Sequence, residues 1–158
     1  MFQDWLWVLL AAMTPIVELR LSIPLGIQGL GMPWYVVLPL SLAGNMVPVF
    51  FLVLGLERLA RFLLSFPNPV GRFLLWRAGR LRLTQSERFG RYGAAALVIF
   101  VAIPLPLTGA WTGSLVAWVF QVPARSAIPL IGLGVVLAGG IVTAVVLTGI
   151  GLSALFLQ

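Results

Sequence analysis

The chain has 158 residues, of which 61% are hydrophobic and 9% charged, with a net charge of +6 and a mean hydropathy of +1.09. Soluble domains are roughly 45–50% apolar, and uncharged stretches of about 25 residues exclude a water-soluble protein and predict an all-α integral membrane protein. Because the chain has no cysteine, no histidine and only four Asp and Glu residues, we expect neither an enzyme nor a bound metal or other cofactor.

The first hydrophobic block, residues 5–30, is interrupted at mid-length. Pro15 and Pro24 flank a stretch that also holds Glu18 and Arg20. Proline has no amide hydrogen and clashes with the preceding turn, so we do not expect one continuous helix. Carbonyl groups freed in this way find no donor in lipid, and they must be buried in protein or line a wet cavity.

The second block, residues 33–56, carries no charged side chain and is long enough to cross a bilayer. It predicts a spanning helix with kinks at Pro39 and Pro48. The connector that follows, residues 57–93, holds eight arginines against two glutamates. The positive-inside rule makes this connector cytoplasmic, in a chain that crosses the cytoplasmic membrane more than once. Its apolar residues recur at helical spacing, which predicts amphipathic helices in the interface, and Thr84 to Glu87 fits a capping box.

The third block, residues 94–120, is interrupted at Pro104 and Pro106, and the fourth, residues 127–157, is an uncharged spanning helix with Pro129 near its start. The order is therefore interrupted block and plain helix, connector, interrupted block and plain helix. Such matched interruptions in two halves indicate the binding site of an inverted-repeat carrier.

We therefore interpret residues 1–158 as a single membrane domain. It consists of repeat one (1–56), the cytoplasmic amphipathic basic connector (57–93) and repeat two (94–158), and each repeat is a re-entrant helical hairpin plus a transmembrane helix. Hairpins entering from opposite faces make the repeats inverted copies and put Arg125 inside with the connector. If each interrupted block instead crosses once, Arg125 lies outside and both termini inside. The hairpins are favoured because Arg125 then obeys the positive-inside rule.

Glu18 and Arg20 are opposed charges inside a hydrophobic block, where ionisable groups are costly unless paired, wet or used. We expect a functional role; the alternative is a shallow block in which the pair marks an interface or ties the hairpin to the second half. Low dielectric favours the protonated form of a glutamate, which suits proton coupling, whereas a neighbouring arginine favours the charged form. Further hydrogen-bonding groups at the tips are the hydroxyls of Ser22, Thr108 and Thr112 and the carbonyls freed by Pro24, Pro104 and Pro106. Their alternative role is to cap broken helices.

The motifs at residues 15–26, 89–93 and 103–113 resemble the bacterial and archaeal family labelled small multidrug export protein. That family is grouped with the DedA-like (VTT) membrane proteins, which have two inverted re-entrant hairpins and include translocases of polyprenyl-phosphate lipids. DedA proteins usually carry arginines around the proline of the second hairpin, whereas residues 100–108 contain none, which leaves Arg20 as the cation for a phosphate or carboxylate. The resemblance implies a meeting point of the hairpins formed by Glu18, Arg20, Pro24, Gly26, Pro104, Pro106, Thr108 and Gly109.

The function predicted from these observations is a transporter or lipid translocase, proton-coupled, for a small amphipathic or anionic substrate such as a polyprenyl phosphate. The alternative is a non-transporting membrane factor that assembles or stabilises other proteins. Expected partners are membrane lipids and the substrate, with no nucleic acid, because anionic lipid explains the basic connector. Two spanning helices and two hairpins enclose little volume, which favours a homodimer.

Overall fold

The computed structural model describes residues 2–64, 93–104, 108–120 and 122–156. The regular elements in these ranges are all helical, as the sequence predicts. In chain order they are α1 (Phe2–Met13), α2 (Glu18–Pro24), α3 (Trp34–Leu64), α4 (Ala94–Ala102), α5 (Ala110–Val119) and α6 (Ala124–Phe156), with a π-helical turn at Leu25–Gly29 after α2.

The chain breaks between α1 and α2 at residues 14–17, as expected from Pro15. A residue before proline is pushed out of the helical region, so α1 ends before Pro15. Thr14 satisfies the exposed backbone on both sides of the break: its hydroxyl donates to the carbonyl of Ala11 at 2.8 Å and accepts from the amide of Val17 at 3.3 Å. The turn is therefore closed by its own side chain.

The helix does not break at Pro24, contrary to the prediction of a second interruption at this proline. Pro24 is the last residue of α2, and the chain continues directly into the π-helical turn, where the amide of Leu30 donates to the carbonyl of Leu25 at 2.9 Å. The wider turn accommodates a residue that has no amide to donate and a ring that crowds the turn before it.

The two long helices are α3, with 31 residues, and α6, with 33. Each contains prolines without losing its helical continuity: Pro39 and Pro48 in α3, and Pro129 in α6. Trp34–Leu56 and Ala124–Gly149 are long and apolar enough to cross a membrane. Helix α3 continues to Leu64, so residues 57–64 of the predicted connector are helical, as their spacing predicts, but they extend α3 and do not begin a new helix. The rest of the predicted connector structure, including the capping box at 84–87, lies outside the described residues.

Each pair of short helices forms an antiparallel hairpin beside one long helix. In the first hairpin, Gly26 of the π-helical turn after α2 lies against Val8 of α1 and Val37 of α3. The hydroxyl of Ser22, one turn earlier in α2, donates to that of Ser41, one turn later in α3, at 2.9 Å. Helix α2 therefore runs opposite to α3, and this register brings its first residue, Glu18, level with Asn45.

The second hairpin repeats this arrangement against α6. Gly113 of α5 lies against Val101 of α4 and Ile131 of α6. Since the chain reverses between α5 and α6, these contacts make the two helices antiparallel and bring Gly109 level with Val135. The two long helices contact each other in opposite directions, because Met46 lies at Gly132 whereas Leu42 and Leu38 lie at Gly139.

Two glycines let the first arm of each hairpin approach a long helix closely. A Cβ built on Gly44 would lie 2.5 Å from the carbonyl oxygen of Leu9 and 2.9 Å from the Cβ of Ala12. A Cβ built on Gly134 would lie 2.9 Å from the carbonyl oxygen of Val98 and 2.6 Å from the Cβ of Val101. The same contact therefore holds α1 to α3 and α4 to α6.

The described part of the chain has an apolar core that also holds a few polar side chains, and its exterior is apolar as well. Its buried polar or charged side chains are Glu18, Ser22, Ser41, Asn45, Ser114 and Thr143. Its exposed surface carries many large apolar side chains, among them Trp7, Phe51, Ile99 and Val145. A soluble domain covers its exterior with many polar and charged side chains, so this apolar exterior is suited to lipid.

We predict that Gly44→Ala and Gly134→Ala each destabilise the protein by about 1–3 kcal/mol, because the added methyl group meets backbone that cannot rotate away. The matched controls are Gly55→Ala in α3 and Gly140→Ala in α6, where a Cβ meets nothing within 4 Å. These controls should be more stable than the wild type by up to about 1 kcal/mol, because alanine has a higher helix propensity than glycine. The melting temperature of the purified protein in detergent measures all four, and equal behaviour of the two pairs would contradict the close approach.

Candidate functional site where the two hairpins meet

The carboxylate of Glu18, from the first hairpin, lies at the N-terminus of α5 in the second hairpin. The backbone amide of Trp111 donates to Oε1 of Glu18 at 3.3 Å, and the amide of Ala110 lies close to the same carboxylate. The first amides of a helix have no partner within the helix and carry the positive end of its dipole. Glu18 therefore fills, from another part of the chain, the place that a bound anion takes at a helix N-terminus.

The backbone on both sides of this contact has positive φ. Glu18 has φ of 46°, which for a residue with a side chain costs on the order of 1–3 kcal/mol. Gly109, which precedes α5, has φ of 141°, a conformation that glycine alone adopts freely. A Cβ on Gly109 would also overlap the Glu18 carboxylate. The site thus needs a glycine at 109 both for its backbone and for the space beside the carboxylate.

Arg20 connects the same two hairpins on the other side of the carboxylate. Its Nη2 donates to the hydroxyl oxygen of Thr108 at 3.0 Å and lies 4.0 Å from Oε2 of Glu18. The hydroxyl of Thr108 in turn donates to the carbonyl of Ile103 at 2.7 Å. A distance of 4.0 Å is long for a charge-assisted hydrogen bond, so Glu18 and Arg20 form an ion pair without a hydrogen bond between them. The hydrogen bonds that position the two side chains come from Trp111 and Thr108 in the second hairpin.

Trp111 makes a third connection between the hairpins. Its indole Nε1 donates to the carbonyl of Met13, the last residue of α1, at 3.2 Å. The same residue thus uses its backbone amide on Glu18 and its side chain on a helix end left open by the break at 14–17. Each interrupted segment therefore completes the backbone hydrogen bonding of the other.

A search of protein families gives one clear result for this chain. The sequence pattern of the family described as "Putative small multi-drug export protein" matches residues 18–141. The chain belongs to this family. The match covers Glu18, Arg20, both long helices up to residue 141 and the whole second hairpin. No curated protein and no solved structure matches the chain.

Family membership and the two long apolar helices make this chain a membrane protein. The small multi-drug export family takes its name from transport, and the ion pair of Glu18 and Arg20 lies within the matched region.

The structure brings four of the predicted site residues together: Glu18, Arg20, Thr108 and Gly109. The other described ones lie elsewhere. Ser22 bonds to Ser41 of α3, and Gly26 packs on Val37. Pro24 leads into the π-helical turn, Pro104 follows the extended residue Ile103, and the hydroxyl of Thr112 donates to the carbonyl of Gly109. Pro106 lies outside the described residues.

Sequence reasoning missed the contacts that join the hairpins. It did not predict that Glu18 would lie at the N-terminus of α5. It also did not identify Trp111 as the donor to the carbonyl of Met13. The available sign was Gly109 directly before a helix start, since a glycine with a special backbone conformation often marks a close approach by another group.

We predict that Gly109→Ala destabilises the protein by about 1–3 kcal/mol, through backbone strain and through overlap with the carboxylate. Glu18→Ala removes the overlapping group, so the double variant Glu18→Ala, Gly109→Ala should be more stable than the sum of the single effects by about 0.5–3 kcal/mol. Thermal denaturation of the four proteins in detergent gives this coupling. Strict additivity would show that the two residues do not touch.

Proposed function

We propose that this chain is a membrane transporter or lipid translocase for a small amphipathic or anionic substrate, coupled to protons. In this proposal two inverted repeats each place a re-entrant hairpin at the middle of the membrane, Glu18 takes up and releases the proton, and Arg20 pairs with an anionic head group. The observation that carries it is the Glu18 carboxylate on the N-terminus of α5, with Arg20 beside it, where the two hairpins meet.

The internal repeat is supported by residues at matching places in the two long helices. Pro33, Pro39 and Gly44 in and before α3 recur as Pro123, Pro129 and Gly134 in and before α6, each 90 residues later. Burial follows the same offset, since Val37 and Ala127 are both fully buried, and so are Ser41 and Ile131. Since α3 and α6 run in opposite directions, halves related in this way are inverted with respect to the membrane.

The depth of the hairpins supports re-entry rather than crossing. Glu18, at the tip of the first hairpin, is level with Asn45, which is the midpoint of the 23-residue apolar stretch Trp34–Leu56. After this tip, α2 returns along α3 to the end at which α3 begins. Helix α1 has only 12 residues, or about 18 Å at 1.5 Å per residue, which is less than the roughly 30 Å of a bilayer core.

The geometry suggests how a proton and an anion would exchange at this site. While Glu18 is charged, its carboxylate binds the N-terminus of α5 and is attracted by the positive charge of Arg20. Protonation removes the negative charge that both groups attract and weakens this contact. An anionic head group can then replace the carboxylate at the helix N-terminus and beside Arg20. Because Glu18 and Arg20 also hold the hairpins together, the same exchange would free one half to rock against the other.

The wider relationship to DedA-like proteins, the lipid phosphate as substrate and a homodimer stay proposals of the same kind. The lipid phosphate is compatible with the site, because one guanidinium and one helix N-terminus are sufficient to bind a single anionic group. The non-transporting alternative, a membrane assembly factor, would need the contact between the hairpins only as a structural tie.

We predict the membrane topology from the inverted repeat. Single cysteines placed by Arg58→Cys and Arg125→Cys should react with an impermeant maleimide from the cytoplasmic face, and one placed by Tyr35→Cys from the opposite face. All three positions are exposed, and Tyr35 and Arg125 occupy equivalent positions in the two repeats. The chain has no native cysteine, so the labelling is specific. Reaction of positions 58 and 125 from different faces would exclude the re-entrant arrangement.

We predict that purified protein in vesicles moves a fluorescent farnesyl phosphate in a pH-dependent manner. Glu18→Gln should remove the pH dependence, and Arg20→Ala should slow transport about 100-fold, as expected for loss of a charge-assisted contact worth about 3 kcal/mol. Arg20→Lys should restore part of the rate, and Arg125→Ala, which changes an exposed arginine outside the contact between the hairpins, should match the wild type.

Ethidium, an amphipathic cation, distinguishes the substrate classes in the same vesicles, because the proposed site should not accept it. If Glu18→Gln and Arg20→Ala both leave movement of every probe unchanged, the site assignment is wrong. If the wild-type protein moves no probe, and its removal from cells lowers the amount of another membrane protein, the assembly factor is the better description.

A further inference from the structure

Asn45 is a fully buried carboxamide in the middle of α3 whose hydrogen-bonding groups have no partner among the described residues. Its exposed fraction is 0%, and neither Nδ2 nor Oδ1 is bonded. Buried polar groups in proteins are nearly always satisfied, by protein or by ordered water, because an unmet donor or acceptor in an apolar interior is costly. Something other than the described side chains must therefore meet this amide.

The position of Asn45 connects it with the contact between the hairpins. The pairs Gly26 with Val37 and Ser22 with Ser41 fix the register of α2 against α3. One further turn along both helices brings Glu18 level with Asn45. Polar residues therefore occur at two successive levels along α2 and α3, first Ser22 and Ser41, then Glu18 and Asn45.

Packing alone does not require an asparagine here. In the proposed repeat the equivalent position in α6 is Val135, which is buried to nearly the same degree. The other unpartnered buried group in the described residues, the hydroxyl of Thr143, can rotate to bond a carbonyl four residues earlier in its own helix. A local bond could serve only an N–H of a carboxamide and would leave its carbonyl oxygen unmet, so Asn45 points to a bound guest.

The chemistry of the amide limits what this guest can be. A metal cation would serve only Oδ1, and an apolar tail would serve neither atom. Water both donates and accepts, and it commonly fills polar gaps in protein interiors. A single water or a short chain of them would satisfy Oδ1 and Nδ2 together.

We propose that Asn45 binds internal water at the level of Glu18, and that this water is the route by which protons reach the carboxylate. The second part rests on the proposed function. A hydronium ion in the chain gives its proton to a carboxylate oxygen of Glu18, so one O–H bond forms as another breaks, and neutral water and a neutral carboxyl group remain. The reverse transfer restores the charge.

Cysteine reactivity tests the water site without any assumption about transport. Silver ions react with thiols that water can reach, and the chain has no native cysteine. The thiol of Asn45→Cys should react with silver nitrate at least about tenfold faster than that of Val49→Cys, because charged species enter dry apolar packing so poorly. Val49 is the matched control, since it lies one turn further along α3 and is also fully buried. Equal rates at the two positions would overturn the water site.

Asn45→Val tests the proton route and uses the residue that occupies the equivalent position in α6. The variant should melt at the same or a higher temperature than the wild type, because an apolar side chain removes the unmet groups. Its proton uptake in vesicles should be at least about tenfold slower, a loss consistent with a broken proton path, while its affinity for farnesyl phosphate stays unchanged. The control is Thr143→Val, which removes the unpartnered hydroxyl of Thr143 and should keep wild-type proton uptake.

Unchanged proton uptake in Asn45→Val, or an equal loss in Thr143→Val, would overturn the proton route. If the wild-type protein moves neither protons nor farnesyl phosphate, the proposed function fails, while the silver reaction still decides whether water reaches Asn45. The two failures are thus distinguishable.

Discussion

The structure depends on one constraint: backbone hydrogen-bonding groups away from water must be satisfied by protein. The two interrupted segments meet this constraint through each other. The open amides of α5 are met by Glu18, the last carbonyl of α1 by the Trp111 indole, and Thr108 by Arg20. A helix broken by proline is tolerable in this fold because a second broken helix lies opposite with complementary groups.

The same contacts explain why charged side chains lie in so apolar a chain. Glu18 is only 6% exposed, yet its carboxylate meets two amides and an arginine, so its charge is compensated by polar groups from both hairpins. The positive φ of Glu18 shows that the backbone accepts strain to aim this side chain. If the only requirement were to cap α5, a Ser or Asp at position 109, the residue before the helix, would do so more simply.

Much of this architecture could be predicted from the sequence, because hydropathy and proline act locally. The break at Pro15, the break near Pro104 and both long helices follow from residues within each segment. Continuity through Pro24 could not be predicted, since it depends on a π-helical turn whose bonds extend to Leu30. Glu18 and Arg20 were identified from their charge alone. Their partners were not, because contacts between residues about 90 positions apart depend on how the halves pack.

In the proposed repeat, Glu18 and Gly109 occupy equivalent positions: each precedes a run of buried residues with the same spacing in α2 and α5, and each has positive φ. They also touch. If the chain descends from a duplicated half, two identical halves would have brought two carboxylates, or two bare glycines, together at the axis between them. The first arrangement suffers from repulsion between like charges and the second lacks an acid. The present pair is therefore asymmetric, and the two halves are not interchangeable at this contact.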